Sequence, residues 1–272
     1  MVFIMPFTEP ATNLTPLRPI SILVVNPNST KSMTEACIRM AVNQLPSHVT
    51  LTGFTAPAPS PSAIEGSLDA ILSSEACIRA LASDPKTKTF DAILVACFSK
   101  HALIEALREE LSVPVIGIME AALYSARMLG GRFGIVATGE RSKWLQSDAV
   151  RAYGLDGYSV GSEATGLGVL ELETKSRSEV LGRVAESARV LVDQGADCVL
   201  LGCAGMTDMV EACKEAVAHR DDYGNPKVNV IDGVVVGVQL LIGLVTAGFG
   251  TAKGGMYRSS KTSRDARGQK WL

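Results

Sequence analysis

The sequence predicts an α/β protein made of two pseudo-symmetric halves, each a Rossmann-like parallel sheet covered by helices, with the active site in the cleft between them. Short runs rich in Val, Ile and Leu alternate with longer helical stretches, which is typical of parallel strands covered on both faces. A weak internal repeat divides the chain. Two cysteines, Cys97 and Cys203, follow equivalent runs of that repeat.

Composition narrows the functional classes. The chain has 272 residues, of which 47% are apolar and 20% charged, and its formal net charge is −2. This balance favours a globular protein without nucleic-acid partners, because nucleic-acid binders usually carry a basic domain. No apolar run reaches the roughly 18–20 residues that a membrane span needs. The N-terminus lacks the features of a secretory signal, so we expect a cytoplasmic protein with reduced thiols.

Seven apolar runs are the predicted strands: 20–25, 49–54, 92–96, 113–117, 133–137, 198–201 and 228–231. Eight helices are predicted between and after them: 29–44, 62–82, 101–110, 120–129, 141–153, 176–194, 206–219 and 234–246. Strands that alternate with helices in this way indicate a parallel sheet.

The repeat has three matches in the same order. The run 91–99 aligns with 197–205 at an offset of 106, the run 22–26 resembles 134–138, and 113–116 resembles 228–231. We therefore assign 20–113 plus 227–250 to a first half and 114–226 to a second. Residues 1–19 and 251–272 are expected to be extended or loosely packed tails, the second of which is rich in basic residues.

Cys97 and Cys203 carry the strongest chemical signal. Each follows an apolar run and precedes a turn and a helix, which places its side chain at the carboxyl edge of a sheet, where open α/β folds bind ligands. Backbone N–H groups and the start of the next helix are expected to lower the pKa of a thiol there. Racemisation requires two such acid/base groups on opposite faces of a planar carbanion.

Burial is the competing interpretation of any free cysteine, because the thiol often acts as a small hydrophobic group. We apply it to the four cysteines that lie inside predicted helices or within a strand: Cys37, Cys77, Cys198 and Cys213. The sequence has neither a Cys-x-x-Cys pair nor a Cys/His cluster with zinc spacing, so no metal site is expected.

Four short strings surround the cysteines and two strand ends: Val25-Asn26-Pro27-Asn28-Ser29-Thr30, Ala96-Cys97-Phe98-Ser99, Ile116-Gly117-Ile118-Met119-Glu120-Ala121 and Gly202-Cys203-Ala204-Gly205-Met206. Together they resemble the aspartate/glutamate/hydantoin racemase superfamily, and the hydantoin and allantoin racemase branch fits best. The resemblance covers about residues 20 to 247. It implies a two-base mechanism without a cofactor, in which Cys97 and Cys203 are the catalytic pair.

The residues after each cysteine bear on the substrate. Amino-acid racemases of the superfamily typically carry Cys-Asn-Thr and Cys-Thr-His or Cys-Thr-Glu, whereas this chain has Cys97-Phe98-Ser99 and Cys203-Ala204-Gly205. The change removes side chains suited to a free carboxylate and ammonium and favours a neutral cyclic imide, a 5-substituted hydantoin such as allantoin. The residues expected to bind it are Asn26, Asn28, Phe98, Ser99, Glu120, Thr138, Ala204, Gly205 and Met206.

Several alternatives stay open. Asn26 to Thr30 also fits a turn with a helix cap, and Glu120 fits a helix cap as well as a site border. His101 has the spacing to tune Cys97 from one helical turn away, but its surroundings depart from the family pattern. An amino-acid racemase, a maleate isomerase or a non-catalytic ligand-binding member are the competing functions. Only a small-molecule partner is expected, and by analogy with related enzymes a homo-oligomer remains open.

Overall fold

Continuous Val, Ile and Leu runs form the inner strands because both faces of each sheet are covered. The computed structural model describes residues 18–219 and 222–269. Eight strands lie within these ranges: β1 (Ile20–Asn26), β2 (Val49–Thr55), β3 (Ala92–Val95), β4 (Val115–Gly117), β5 (Phe133–Ala137), β6 (Ser159–Ala164), β7 (Cys198–Leu201) and β8 (Asn229–Ile231). Strands β1, β3, β5 and β7 are almost entirely buried.

The strands form two four-stranded parallel sheets of identical topology. The first has the order β2-β1-β3-β4 and the second the order β6-β5-β7-β8, and every pairing is parallel. Replacing each strand by the one four places later converts the first order into the second. The predicted α/β fold of two similar parallel-sheet halves is thus confirmed.

The likeness extends to the carboxylate before each cysteine-bearing strand. Asp91 accepts a hydrogen bond from the N–H of Ser21 at 2.8 Å. Asp197 accepts from the N–H groups of Gly131 at 2.8 Å and Arg132 at 3.0 Å. Each carboxylate therefore ties the start of its own strand to the start of the neighbouring inner strand.

Strand β6 was not predicted. Its sequence, Ser-Val-Gly-Ser-Glu-Ala, contains no apolar run, and all six residues are half-buried at the edge of the second sheet. An edge strand has one neighbour and less coverage, so its composition is not constrained as that of an inner strand is.

The helices are α1 (Lys31–Val42), α2 (Ser67–Ser83), α3 (Ala102–Glu110), α4 (Ile118–Leu129), α5 (Glu140–Ala152), α6 (Glu171–Thr174), α7 (Arg177–Asp193), α8 (Val210–Ala216), α9 (Gly233–Thr246) and α10 (Lys261–Ala266). The predicted helix 206–219 is instead a 3-10 helix, Ala204–Met209, followed by the short α8. Tight 3-10 turns are common where a helix begins. Within the described ranges no helix is long and apolar enough to cross a membrane.

Each half sends its last helix to the other half. Helix α4 follows β4 of the first sheet but packs against β7 and β8 of the second, and α9 follows β8 but packs against β1, β3 and β4 of the first. The two helices also pack against each other. Their close approach depends on Gly233, where a Cβ atom would lie 2.3 Å from the carbonyl oxygen of Ile118.

The predicted boundaries of the halves do not follow the sheets. Residues 227–250 were assigned to the first half, but β8 pairs with β7 in the second sheet, and β4, assigned to the second half, pairs with β3 in the first. Within the two exchanged segments, the helices α4 and α9 pack on the predicted side, whereas the strands β4 and β8 do not. An apolar strand looks the same whichever sheet it joins, so its sequence does not reveal its partner.

The C-terminal tail is more ordered than predicted. The Lys253 ammonium donates hydrogen bonds to the carbonyl oxygens of Arg108 at 2.6 Å and Glu109 at 2.8 Å, at the C-terminal end of α3, where a cation is favoured. Arg264 forms an ion pair with Glu110 at 2.7 Å. Charge pairing with α3 thus replaces the expected loose packing over 251–269, and the rest of both predicted tails, 1–17 and 270–272, lies outside the described residues.

The contact between α4 and α9 is tested by Gly233→Ala. The added methyl group collides with backbone that cannot yield, so we expect the free energy of unfolding to fall by about 1–3 kcal/mol, as measured by urea denaturation. The matched control is Gly243→Ala on the exposed side of the same helix, where a Cβ atom meets nothing within 4 Å. It should gain about 0.5–1 kcal/mol. Equal effects from the two substitutions would contradict the proposed close approach.

Candidate active site

The two predicted catalytic cysteines lie at equivalent strand ends and line one cavity. Cys97 follows β3 and Cys203 follows β7, each after one intervening residue, and both thiols are half-buried. The cavity has a volume of about 360 Å³. It lies at the carboxyl ends of the strands, where successive loops leave the sheets and open α/β folds bind small molecules.

The loop after β3 surrounds Cys97 with short-range polar contacts. The Cys97 Sγ and Ser99 Oγ atoms are 3.2 Å apart, and the N–H of Ser99 donates to the Cys97 carbonyl oxygen at 3.0 Å. Burial raises the pKa of the Cys97 thiol to about 11, and the hydrogen bond with Ser99 opposes this rise.

Cys203 caps the 3-10 helix that follows it. Its Sγ accepts a hydrogen bond from the N–H of Gly205 at 3.4 Å. Burial raises the pKa of the Cys203 thiol to about 12; the Gly205 contact opposes the rise, and the charges of Cys97, Glu65 and Glu173 add to it. The charge of Cys97 affects the pKa of Cys203 because both thiols line the same cavity.

The expected lowering of both thiol pKa values is wrong, because desolvation outweighs the favourable contacts. Cys97 is five positions before Ala102, the first residue of α3, and so lies outside the field of its N-terminus, which acts within about one turn. At Cys203 one weak N–H contact does not offset the loss of water.

The two asparagines of the Asn-Pro-Asn-Ser-Thr string have different surroundings. The Asn26 amide donates to Asn28 Oδ1 at 2.9 Å, to the Thr30 carbonyl at 3.0 Å and to Thr34 Oγ1 at 3.1 Å, and Asn26 does not line the cavity. Asn28 does line it; its Oδ1 also accepts from the Thr30 N–H, and its Nδ2 donates to the sulfur of Met33 at 3.4 Å. Asn26 thus shapes the turn, and Asn28 presents a donor.

Five of the nine predicted binding residues line the cavity: Asn28, Phe98, Ser99, Thr138 and Ala204. Gly205 contributes through its N–H to Cys203 rather than through the cavity wall. Met206 is completely buried in the core of the second half and does not line the cavity. Met206 therefore has a packing role beneath the loop that carries Cys203.

Glu120 is a structural residue, as one of the two open interpretations expected. Its carboxylate forms an ion pair with Arg108 at 2.7 Å and accepts from the N–H of Gly117, which caps α4. The Arg108 guanidinium also donates to the carbonyl oxygen of Val115 at 2.7 Å. Glu120 does not line the cavity.

His101 lines the cavity but is held as a neutral helix cap. Its Nδ1 accepts from the N–H of Leu103 at 3.3 Å, and Ser73 Oγ lies 3.0 Å from its Nε2. Burial lowers the pKa of His101 to about 4. A neutral ring with both nitrogens engaged has no free proton to exchange with Cys97.

The sequence did not indicate the cavity wall formed by α5. Ser142, Leu145, Gln146, Ala149 and Ala152 line it, at spacings of three and four that lie along one helix face. None of these residue types indicates a binding site by itself. Their helical spacing identifies them as one face of α5 only once the position of the cavity is known. The Nε2 of Gln146 donates to the carbonyl oxygen of Gly202 at 2.9 Å, which ties this wall to the residue before Cys203.

Comparisons with known proteins agree with this arrangement. The family model described as Asp/Glu/Hydantoin racemase matches residues 22–241. An uncharacterised protein of Schizosaccharomyces pombe is 38% identical over 88% of this chain and 98% of its own. A hydantoin racemase of Rhizobium meliloti is 32% identical over 87% of this chain and 93% of its own.

The crystal structure of an allantoin racemase from Pseudomonas fluorescens superposes with a TM-score of 0.79. It is 29% identical and covers 88% of this chain and 97% of its own. The family match spans both sheets and both cysteines, and the fold agrees over the same length. The chain therefore belongs to the Asp/Glu/Hydantoin racemase family, in its hydantoin and allantoin racemase branch, and is an isomerase.

Proposed function

We propose that the protein is a cofactor-independent racemase of 5-substituted hydantoins, a class that includes allantoin and similar cyclic ureides. The observation that carries the proposal is the presence of Cys97 and Cys203, from equivalent positions of two similar halves, in the wall of one cavity. The names of the relatives support the substrate class. The cavity residues directly next to the cysteines, Phe98 and Ser99 after Cys97 and Ala204 after Cys203, are uncharged, as suits a neutral ring.

In the proposed reaction one cysteine acts as thiolate and the other as thiol. The C5 proton lies between a carbonyl group and an amide nitrogen, so its removal leaves an enolate whose charge is spread onto oxygen. The thiolate takes this proton from one face, and the opposite thiol donates its proton to the other face, which inverts the carbon. Asn28 and Thr138, which line the cavity, are the proposed donors to the polar ring atoms.

The raised thiol pKa values suit this chemistry. A carbon acid is weak, and a base of higher pKa removes its proton more readily. Burial of Cys97 and Cys203 makes each thiolate a stronger base than an exposed cysteine. The disadvantage is a small thiolate population at neutral pH, which should make the rate depend strongly on pH.

Replacing either cysteine tests the mechanism. We expect Cys97→Ser and Cys203→Ser each to lower kcat about a hundred- to ten-thousandfold, because a serine hydroxyl is a far weaker acid than a thiol. The measurement is the loss of optical rotation from single enantiomers of allantoin, 5-benzylhydantoin and 5-isopropylhydantoin, with aspartate and glutamate as comparison substrates. Cys77→Ala is the matched control, since Cys77 is buried in α2 away from the cavity.

Turnover in deuterated water distinguishes a mechanism with two bases from a mechanism with one base. Inversion by two cysteines brings solvent deuterium to C5 of the product, so deuterium gain and loss of rotation should proceed together. Exchange at C5 with rotation retained would contradict the two-base proposal. Full turnover in both serine variants would exclude the cysteine pair altogether.

The pH dependence follows from the direction of the thiol pKa shifts. Burial raises both pKa values, to about 11 and about 12, so at neutral pH most cysteine pairs are fully protonated and lack a base. Raising the pH increases the thiolate fraction, and kcat/KM should rise nearly tenfold per pH unit between about pH 6 and 8. A profile that is flat over this range, measured with the fold monitored by circular dichroism, would show that a thiolate is not the base.

A further inference from the structure

The two thiols occupy equivalent positions but have different hydrogen-bond partners. The residue two places after the cysteine is Ser99 in one half and Gly205 in the other. Cys97 Sγ therefore has a hydroxyl group at 3.2 Å, whereas the partner of Cys203 Sγ is a backbone N–H at 3.4 Å. A hydroxyl can rotate to donate to a thiolate or to accept from a thiol, so it adapts to either protonation state.

The charged groups around the two thiols differ as well. Glu65 and Glu173 disfavour negative charge on Cys203, and both carboxylates are held in place, Glu65 by the Val169 N–H at 2.8 Å and Glu173 by the Ser32 hydroxyl at 2.7 Å. For Cys97 the two causes that set the pKa are burial, which raises it, and the Ser99 hydrogen bond, which lowers it.

The remaining titratable groups of the cavity do not reverse this difference. Lys100 forms an ion pair with Glu105 at 2.8 Å, and Asp148 forms one with Arg151 at 2.9 Å. His101 is neutral because burial lowers its pKa to about 4. Cys37, which lies close enough to Cys203 to sense its charge, is a fully buried thiol whose pKa is raised by that burial, so it stays neutral.

We propose that Ser99 makes the pair asymmetric, so that in the singly ionised free protein, the resting state for catalysis, Cys97 carries the thiolate, stabilised by the Ser99 hydroxyl, while Cys203 remains a thiol. The inference rests on the proposed function for its role in catalysis and deepens it by assigning the resting state of each base. Ser99 acts through Cys97 and is therefore a positioning residue.

The protonation states then change in a defined way during turnover. The Cys97 thiolate takes the C5 proton of one enantiomer: the C–H bond breaks and an S–H bond forms. The Cys203 S–H bond breaks as its proton forms the new C–H bond on the opposite face, which leaves the charge on Cys203. The pair returns to its resting state when a proton moves from Cys97 to Cys203 by way of solvent, and Ser99 favours this return.

Site-resolved alkylation tests the asymmetry without any substrate. The full chain is treated with iodoacetamide at a series of pH values, and the rate at each cysteine is measured by mass spectrometry, since only the thiolate reacts. We expect Cys97 to react at lower pH than Cys203. Ser99→Ala should shift the Cys97 profile upward by about one pH unit or more, and Ser99→Thr, which keeps the hydroxyl, should preserve it. The four buried cysteines are internal controls.

The second half offers a reciprocal variant. At Gly205 a Cβ atom would lie 3.6 Å from Cys203 Sγ and 3.1 Å from Leu172 Cδ1, the end of a flexible side chain, so a serine fits with a small adjustment. Gly205→Ser should lower the Cys203 profile, and the double variant Ser99→Gly/Gly205→Ser should in addition raise the Cys97 profile, so that the gap between the two narrows. This variant decides the matter even if Ser99→Ala does not fold.

The inference is overturned if Cys203 reacts at lower pH than Cys97 in the unaltered protein, or if Ser99→Ala leaves the Cys97 profile in place. It is independent of the racemase assay. The expected order of alkylation with no inversion of any hydantoin supports the asymmetry and rejects the proposed function, whereas inversion with the opposite order does the reverse.

Discussion

The crossing of α4 and α9 is the contact on which the rest of the structure depends. Each helix leaves its own sheet and covers the other, so the two sheets are joined by packing in both directions rather than by a single linker. The close approach at Gly233 brings the two helix starts together, directly after the strands β4 and β8 that border β3 and β7. Because Cys97 and Cys203 follow those neighbouring strands, the same packing that buries the core also brings both thiols to the wall of one cavity.

Enclosure of the thiols has two opposing effects. Removal of water raises their pKa and reduces the thiolate population, which in the proposed reaction lowers the rate at neutral pH. The same removal strengthens every electrostatic contact with the charge that develops on a substrate. The nearby hydrogen-bond donors, the Ser99 hydroxyl and the Gly205 N–H, return part of the lost solvation to sulfur. Under the proposed mechanism, the site therefore pairs two strongly basic thiolates with fixed hydrogen-bond donors. A thiolate at a helix N-terminus would instead have a lower pKa and be a weaker base.

Most of the inner strands and both cysteines could be predicted because their physical signals are local. A buried parallel strand needs a continuous apolar run, and a cysteine after such a run lies at the sheet edge wherever the chain goes next. The missing features depend on contacts that are distant in sequence. Strand β6 is an edge strand of mixed composition, the tail is ordered by Lys253 and Arg264 against α3, and the α5 wall consists of residues ordinary in any amphipathic helix. Asn26 and Glu120 were predicted to bind the substrate because they belong to the family strings. In the structure Asn26 shapes a turn and Glu120 caps a helix beside the site.

Two copies of a single half, assembled as a homodimer, would place the same residue after both thiols and could not distinguish one side of the cavity from the other. In this chain the two halves are covalently continuous, so position 99 and position 205 are encoded separately and are free to diverge. The covalent link between the two halves therefore has a consequence beyond holding them together. It breaks a symmetry that oligomerisation would enforce, and it does so at a serine in one half and a glycine in the other.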